Sequence, residues 1–374
     1  MFLVERLFAL IAYCSILLVV CILIEWEKSN YKVILSIYVV VLAAMGFFYV
    51  PYETADLYRI NEYLDAYEHY SWDYFFNKRL NGNILEIDHI YYWLIARTGE
   101  MRLLPSITAL LCYSCIFYII IRTAKIYKID RKYIAASVLF FMSIGNYIFV
   151  ISGIRSMLGT CLLCFCFFRE SIEKKFRLWH LLLYIVAGFI HNFVFILIVI
   201  RVLTSIFFHK ASLFKKVIYI ALVAIAAGLV VYFSSDYIRE VLGRAEGYLN
   251  NEVFSYAWEY VICMVCGIVM VLGLLAMHKN SNKELKRHFA ETKMFLSACL
   301  VIGVVFCFEF TICHRSITYI APILSLPILM VSLQNQKGKG ILHSELLLLT
   351  VVMLSIACAR GSLCSLKFFV LYVR

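Results

Sequence analysis

Apolar runs of helix length alternate with polar connectors along nearly the whole chain. The first extends from about Val4 to Ile24. Others follow at about 33–50, 103–121, 133–151, 154–168, 179–208, 217–233, 257–277, 294–311, 316–333 and 341–358. A bilayer core takes roughly 20 apolar residues in a helix. The pattern therefore predicts an all-α polytopic membrane protein, one integral domain over 1–374, with about ten full transmembrane helices. The first run has Glu5-Arg6 at its start and lacks a small-residue cleavage site, so it reads as a helix that is kept. The segment from Gly361 to Arg374 is apolar but carries Lys367. It reads as either a short outer helix or a final partial crossing.

The connectors fall into two sets. One is rich in Lys and Arg, as at Lys28 and Lys32, at Arg122, Lys125, Lys128 and Arg131, at Lys174, Lys175 and Arg177, and at Lys279, Lys283, Lys286 and Arg287. The other comprises 51–102 and 234–256, which are long, acidic and aromatic. The positive-inside tendency puts the first set in the cytoplasm and the second outside.

One run breaks the alternation. The stretch 178–208 is flanked by basic residues at both ends, so a single crossing leaves one cluster on the wrong side. Two helices of about 20 Å, each too short for the roughly 30 Å core, satisfy the charge rule. The expectation is a helical hairpin turning between Gly188 and Asn192, its tip toward the outer face. Unwound backbone at membrane depth is tolerated only against protein or a wet cavity, which puts His191 beside a cavity.

Composition agrees. Of 374 residues, 63% are hydrophobic and 16% charged, and the mean hydropathy is +0.86. Soluble domains are nearer about 45–50% apolar and about 25% charged. A soluble enzyme, a secreted module and a disordered regulator are thereby excluded. The net charge of +11 belongs to cytoplasmic connectors and gives no reason to expect nucleic acid. Most of the 14 cysteines lie in apolar runs, where they act as small hydrophobes. Cys161 with Cys164 and Cys263 with Cys266 have C-x-x-C spacing but no neighbouring histidine. Neither a metal site nor a cofactor is expected.

Ionisable groups at membrane depth point to function. Arg155 and Arg315 each open an apolar run on the predicted outer face. A helix N-terminus already carries about half a positive charge, so a cation there calls for an anion. Backbone N–H groups and a guanidinium together suit phosphate. The competing reading is snorkelling to headgroups, or pairing of Arg315 with Glu309. His191, within a long apolar run, suits a base that takes a proton from a hydroxyl, and could equally be a buried histidine bonded to a carbonyl. His314, next to Arg315, is its rival. In the 51–102 loop, Leu57, Ile60, Leu64 and Tyr67 recur at helical spacing, predicting an amphipathic helix over 55–70 on the outer surface. Its carboxylates and aromatic rings suit sugars, although Tyr and Trp are also ordinary interface anchors.

Three short stretches carry a resemblance. They are Asp56-Leu57-Tyr58-Arg59, Ile154-Arg155-Ser156-Met157-Leu158 and Ala187-Gly188-Phe189-Ile190-His191-Asn192, with Arg315 as a late fourth element. Together they resemble the Wzy-type, EpsG-like polymerases of bacterial capsular, exo- and O-antigen polysaccharides. Phe47-Phe48 stand where that family often has an arginine. The resemblance implies that undecaprenyl-pyrophosphate-linked repeat units are polymerised at the outer face of a bacterial plasma membrane. The growing chain passes from its lipid pyrophosphate onto a new lipid-linked unit. The implied partners are the lipid-linked donor and acceptor, the bilayer and other polysaccharide export proteins, without metal or nucleotide sugar. The expected roles are pyrophosphate binding by Arg155 and Arg315, proton abstraction by His191, and substrate contacts from Asp56, Tyr58, Arg59, Asn192 and His314. Asp56 and Arg59 could also brace the site as an ion pair. The rival functions are a ligase with the same chemistry, a flippase, which calls for midplane charges and internal duplication, and a membrane acyltransferase.

Overall fold

The computed structural model describes residues 2–51, 56–80, 86–144, 147–175, 177–191, 193–208, 217, 287–305 and 315–335. Most of those residues are helical, with no strand among them. The expected elements at 234–256, 217–233, 257–277, 341–358 and 361–374 lie outside the described residues.

The first two helices, α1 (Phe2–Glu25) and α2 (Tyr31–Phe47), are apolar on both sides. Tyr13, Leu17, Val20 and Ile24 of α1 are buried, while Ile11, Leu18, Val19 and Ile22 are exposed. Likewise α2 buries Leu35, Tyr38, Val39 and Leu42 and exposes Val33, Ile37 and Val40. An outer face as apolar as the inner one is stable against lipid and unfavourable against water. Asn30 caps α2 by accepting from the Lys32 N–H at 3.1 Å, which satisfies one of the amides that a helix start leaves open.

Around the first loop lie α3 (Asp56–Glu68), the short α4 (Trp72–Tyr74) continued by a π-helical turn (Phe75–Arg79), and α5 (Ile87–Ala96). The four apolar positions of α3, Leu57, Ile60, Leu64 and Tyr67, are its buried ones, as the spacing predicts. Phe75 is fully buried and stacks on Trp93, with ring centroids 5.6 Å apart. The described residues of the 51–102 loop thus form a packed cap of helices.

The core is built around α6 (Leu103–Tyr127), which packs against α2 and against α9 (Ile154–Ser171). It is the one helix among the described residues whose length and apolarity suffice for a crossing. Gly46 of α2 meets the start of α6, where an added Cβ would lie 3.0 Å from the Pro105 carbonyl oxygen. Within the run expected at 133–151 lie α7 (Arg131–Ile144) and α8 (Tyr147–Ser152), and α9 spans Ile154–Ser171. The stretch 178–208 likewise forms two helices, α10 (Leu178–Ile190) and α11 (Phe193–Phe208), which pack against each other. The last described helices are α12 (Ala290–Val305) and α13 (Ala321–Asn335), the latter led in by a π-helical turn, Arg315–Ile320. From Ala321 to Leu333 every residue of α13 is buried. A helix apolar all round belongs at the centre of a bundle or in a membrane.

Candidate active site

The site forms where three other pieces of chain meet the start of α9. Gly153 precedes this helix and Arg155 is its second residue. Gly159 lies one turn further on the same face as Arg155. A Cβ added at Gly159 would stand 2.9 Å from the Ala187 carbonyl oxygen and 3.4 Å from the His191 Cβ. The α10–α11 turn therefore sits directly on α9, one turn from Arg155. A Cβ added at Gly153 would be 3.7 Å from the Tyr319 hydroxyl. Tyr319 is one turn beyond Arg315, so the π-helical turn carrying Arg315 also abuts the α9 start. π-helical turns are uncommon and concentrate at functional sites.

His191 terminates α10 in extended conformation, with φ −150° and ψ 114°. The residue is half-buried, but its Nδ1 is enclosed and has no hydrogen-bond partner. The charges of Arg315 and Arg155 both act on its ring. The three residues expected to be catalytic are therefore neighbours in space, although they come from α9, the α10–α11 turn and the stretch ahead of α13.

The fourth piece is the loop cap. Asp88 of α5 accepts from Arg155 Nη1 at 3.2 Å. Asp88 is 10% exposed, whereas Arg155 keeps 49% of its side chain exposed. Tyr92, one turn along α5, is buried and its hydroxyl has no partner. Asp56 acts electrostatically on Arg155 and Tyr92. It also pairs with Arg59 at the exposed edge of α3, where Tyr58 is likewise exposed. The start of α3 is tied to the end of α8 by the Leu57 N–H donating to Ser152 Oγ at 3.4 Å. His314 and Asn192 lie outside the described residues.

Asp88 and Tyr92 are not among the site residues that the sequence singles out. The signal was present. Within the apolar stretch Ile87–Ala96, the buried positions are Asp88, Tyr92, Ile95 and Ala96, so a carboxylate shares the core-facing side of a helix. Burying an unpaired carboxylate is costly, and such a placement predicts a cationic partner.

A second polar cluster stiffens the cap. His89 lies 2.8 Å from the Tyr67 hydroxyl through Nδ1 and 2.9 Å from Arg79 Nη2 through Nε2. Arg79 also donates through Nε to the Tyr67 hydroxyl at 2.8 Å. Because Arg79 can only donate, Nε2 acts as the acceptor and the ring is neutral. Burial pulls the His89 imidazole down to about 4 from an ordinary 6.5, helped by Arg79 and Arg155 and opposed by Asp88. The unfolded chain therefore binds this proton at a higher pH than the folded one. The contribution of His89 to stability is fully present above pH 6.5 and falls as the pH drops from there toward about 4. Amide hydrogen exchange across 56–96, corrected for intrinsic rates, should accelerate between pH 7 and pH 5, and His89→Gln should flatten that dependence. An unchanged pH dependence in the variant overturns this assignment.

Among the described residues, no group of three or more His, Cys, Asp or Glu is placed to hold a metal ion. The pattern of the EpsG family matches residues 60–370. That span includes Asp88, Tyr92, Arg155, His191 and Arg315, and begins just after Arg59. No curated protein matches the chain, and no solved structure does. Given a match over most of its length and an all-helical fold with a lipid-suited exterior, this membrane protein belongs to the EpsG family.

Proposed function

We propose that the protein polymerises undecaprenyl-pyrophosphate-linked oligosaccharide units into a surface polysaccharide at the outer face of a bacterial plasma membrane. The proposal includes about ten membrane crossings, a re-entrant α10–α11 hairpin with its tip outward, and the bilayer and other polysaccharide export proteins as partners. Family membership supports it. The single observation that carries it is the grouping of two guanidiniums with an imidazole whose enclosed nitrogen lacks a partner, at the start of α9.

The chemistry follows from those groups. Arg155 and Arg315, aided by the open amides and dipole of α9, bind the donor pyrophosphate. A sugar hydroxyl of the acceptor attacks the anomeric carbon of the donor while the bond to the phosphate oxygen breaks. The departing lipid pyrophosphate takes the electron pair, and the guanidiniums stabilise the charge that develops there. His191 accepts the hydroxyl proton. Asp56 and Arg59 supply an acceptor and a donor for sugar hydroxyls. No metal and no nucleotide sugar are required, because pyrophosphate is already a good leaving group.

The test is glycan size in a deletion strain. Single repeat units accumulating on lipid at the outer face support polymerisation. Units retained on the cytoplasmic side, or full-length unattached polymer, overturn it in favour of a flippase or a ligase respectively.

A further inference from the structure

The face of α5 that carries Asp88 and Tyr92 has a use beyond closing the cap. We infer that Asp88 occupies Arg155 as a placeholder in the empty protein, that a phosphate group displaces it, and that Tyr92 then donates a hydrogen bond to that phosphate. The inference rests on the reading of this site as a pyrophosphate site and adds two binding residues to it.

The Asp88–Arg155 pair is lopsided. The Asp88 side chain is nearly sealed at 10% exposure, while the Arg155 side chain is 49% exposed and its guanidinium is engaged by Asp88 at one contact of 3.2 Å. A guanidinium offers five N–H donors in a fork suited to two oxygens, so the single contact leaves most of that capacity for a ligand arriving from the open side. A phosphate presents more oxygens and more charge than a carboxylate and competes effectively for the same fork.

Tyr92 supplies an independent observation. Its ring is buried and its hydroxyl is enclosed without a partner, an arrangement that native proteins rarely leave unfilled. Asp88 and Tyr92 are four residues apart on one side of α5 and both are buried, yet the hydroxyl does not bond the carboxylate. Among charged and titratable neighbours, Arg155 bears most strongly on Tyr92 and Tyr92 most strongly on Arg155. Burial pushes the phenol well above its ordinary range, so it stays a proton donor. An unpartnered donor on the same side of α5 as the carboxylate that holds Arg155 is placed for an anion oxygen. The enclosed His191 Nδ1, also under the influence of Arg155, is unpartnered as well.

The experiment is calorimetric titration of the purified full-length protein in lipid nanodiscs with inorganic pyrophosphate. Asp88→Asn keeps the shape and removes the competing charge, so it should bind about tenfold more tightly. Tyr92→Phe should bind about tenfold more weakly. Both should keep the wild-type unfolding midpoint. Weaker or unchanged binding in Asp88→Asn, or unchanged binding in Tyr92→Phe, overturns the inference. If Asp88→Asn fails to fold, wild-type hydrogen exchange decides: pyrophosphate should alter protection across 87–96, and no change there overturns the inference. The polymerase reading fails separately. Both shifts in affinity alongside normal chain lengths in a deletion strain would leave this site standing and remove polymerisation.

Discussion

Arg155→Ala is expected to lower polymer synthesis by about 10²-fold or more, the scale seen when a positioned donor to a developing negative charge is lost. The readout is polymer formed per unit of folded protein, from a lipid-linked oligosaccharide in vitro or as chain length in a complemented strain. Arg155→Ala also strands the buried Asp88, so the folded fraction must be measured alongside. Two comparisons separate chemistry from packing. Adding Asp88→Asn to Arg155→Ala should restore any lost stability without restoring activity. Arg155→Lys should retain only part of the activity, because an ammonium keeps the charge but lacks the planar fork. Normal chain length in Arg155→Ala removes this residue from the mechanism.

The second large effect is expected at the opposite end of α9, about 22 Å away by helical rise. Arg201 of α11 is buried and bonds Glu170 at 3.1 Å and Glu291 at 2.6 Å. It lies over the Phe167 ring at 4.7 Å. Tyr184 of α10 donates to the same Glu170 oxygen at 3.0 Å, so one polar cluster ties α9, α10, α11 and α12 together. Arg201→Leu removes the buried cation shared by Glu170 and Glu291, leaving Glu291 the more exposed Lys174 at 3.7 Å. Removing one partner from a buried ionic group typically costs about 3–5 kcal/mol, enough to lower the unfolding midpoint and the yield of folded protein markedly. Adding Glu170→Gln and Glu291→Gln to Arg201→Leu should recover most of that loss, because no buried charge then remains uncompensated. An unchanged midpoint in Arg201→Leu shows that the cluster contributes nothing to holding these helices. The same substitution reaches the site indirectly, since α11 begins two residues after His191.

Local elements were the legible part. The face of α3 could be read from Leu57, Ile60, Leu64 and Tyr67, and those residues are buried. The basic residues flanking 178–208 argued for two helices, and the chain forms two over that stretch. Arg201 went unnoticed inside an apolar run: its partners, Glu170 and Glu291, lie 31 and 90 residues away.

By itself, then, the amino-acid order determined the all-helical class, the suitability for lipid, the faces of individual helices and the residue types from which a phosphate site could be built. These follow from a 3.6-residue period and from burial preferences, which act over neighbouring turns. Only the tertiary structure decided that Asp88 meets Arg155 across 67 residues of chain, that His191 rests one turn from that arginine, and that Arg315 comes alongside. Which distant charges meet depends on how whole helices pack, and packing is settled by the shapes of many side chains at once.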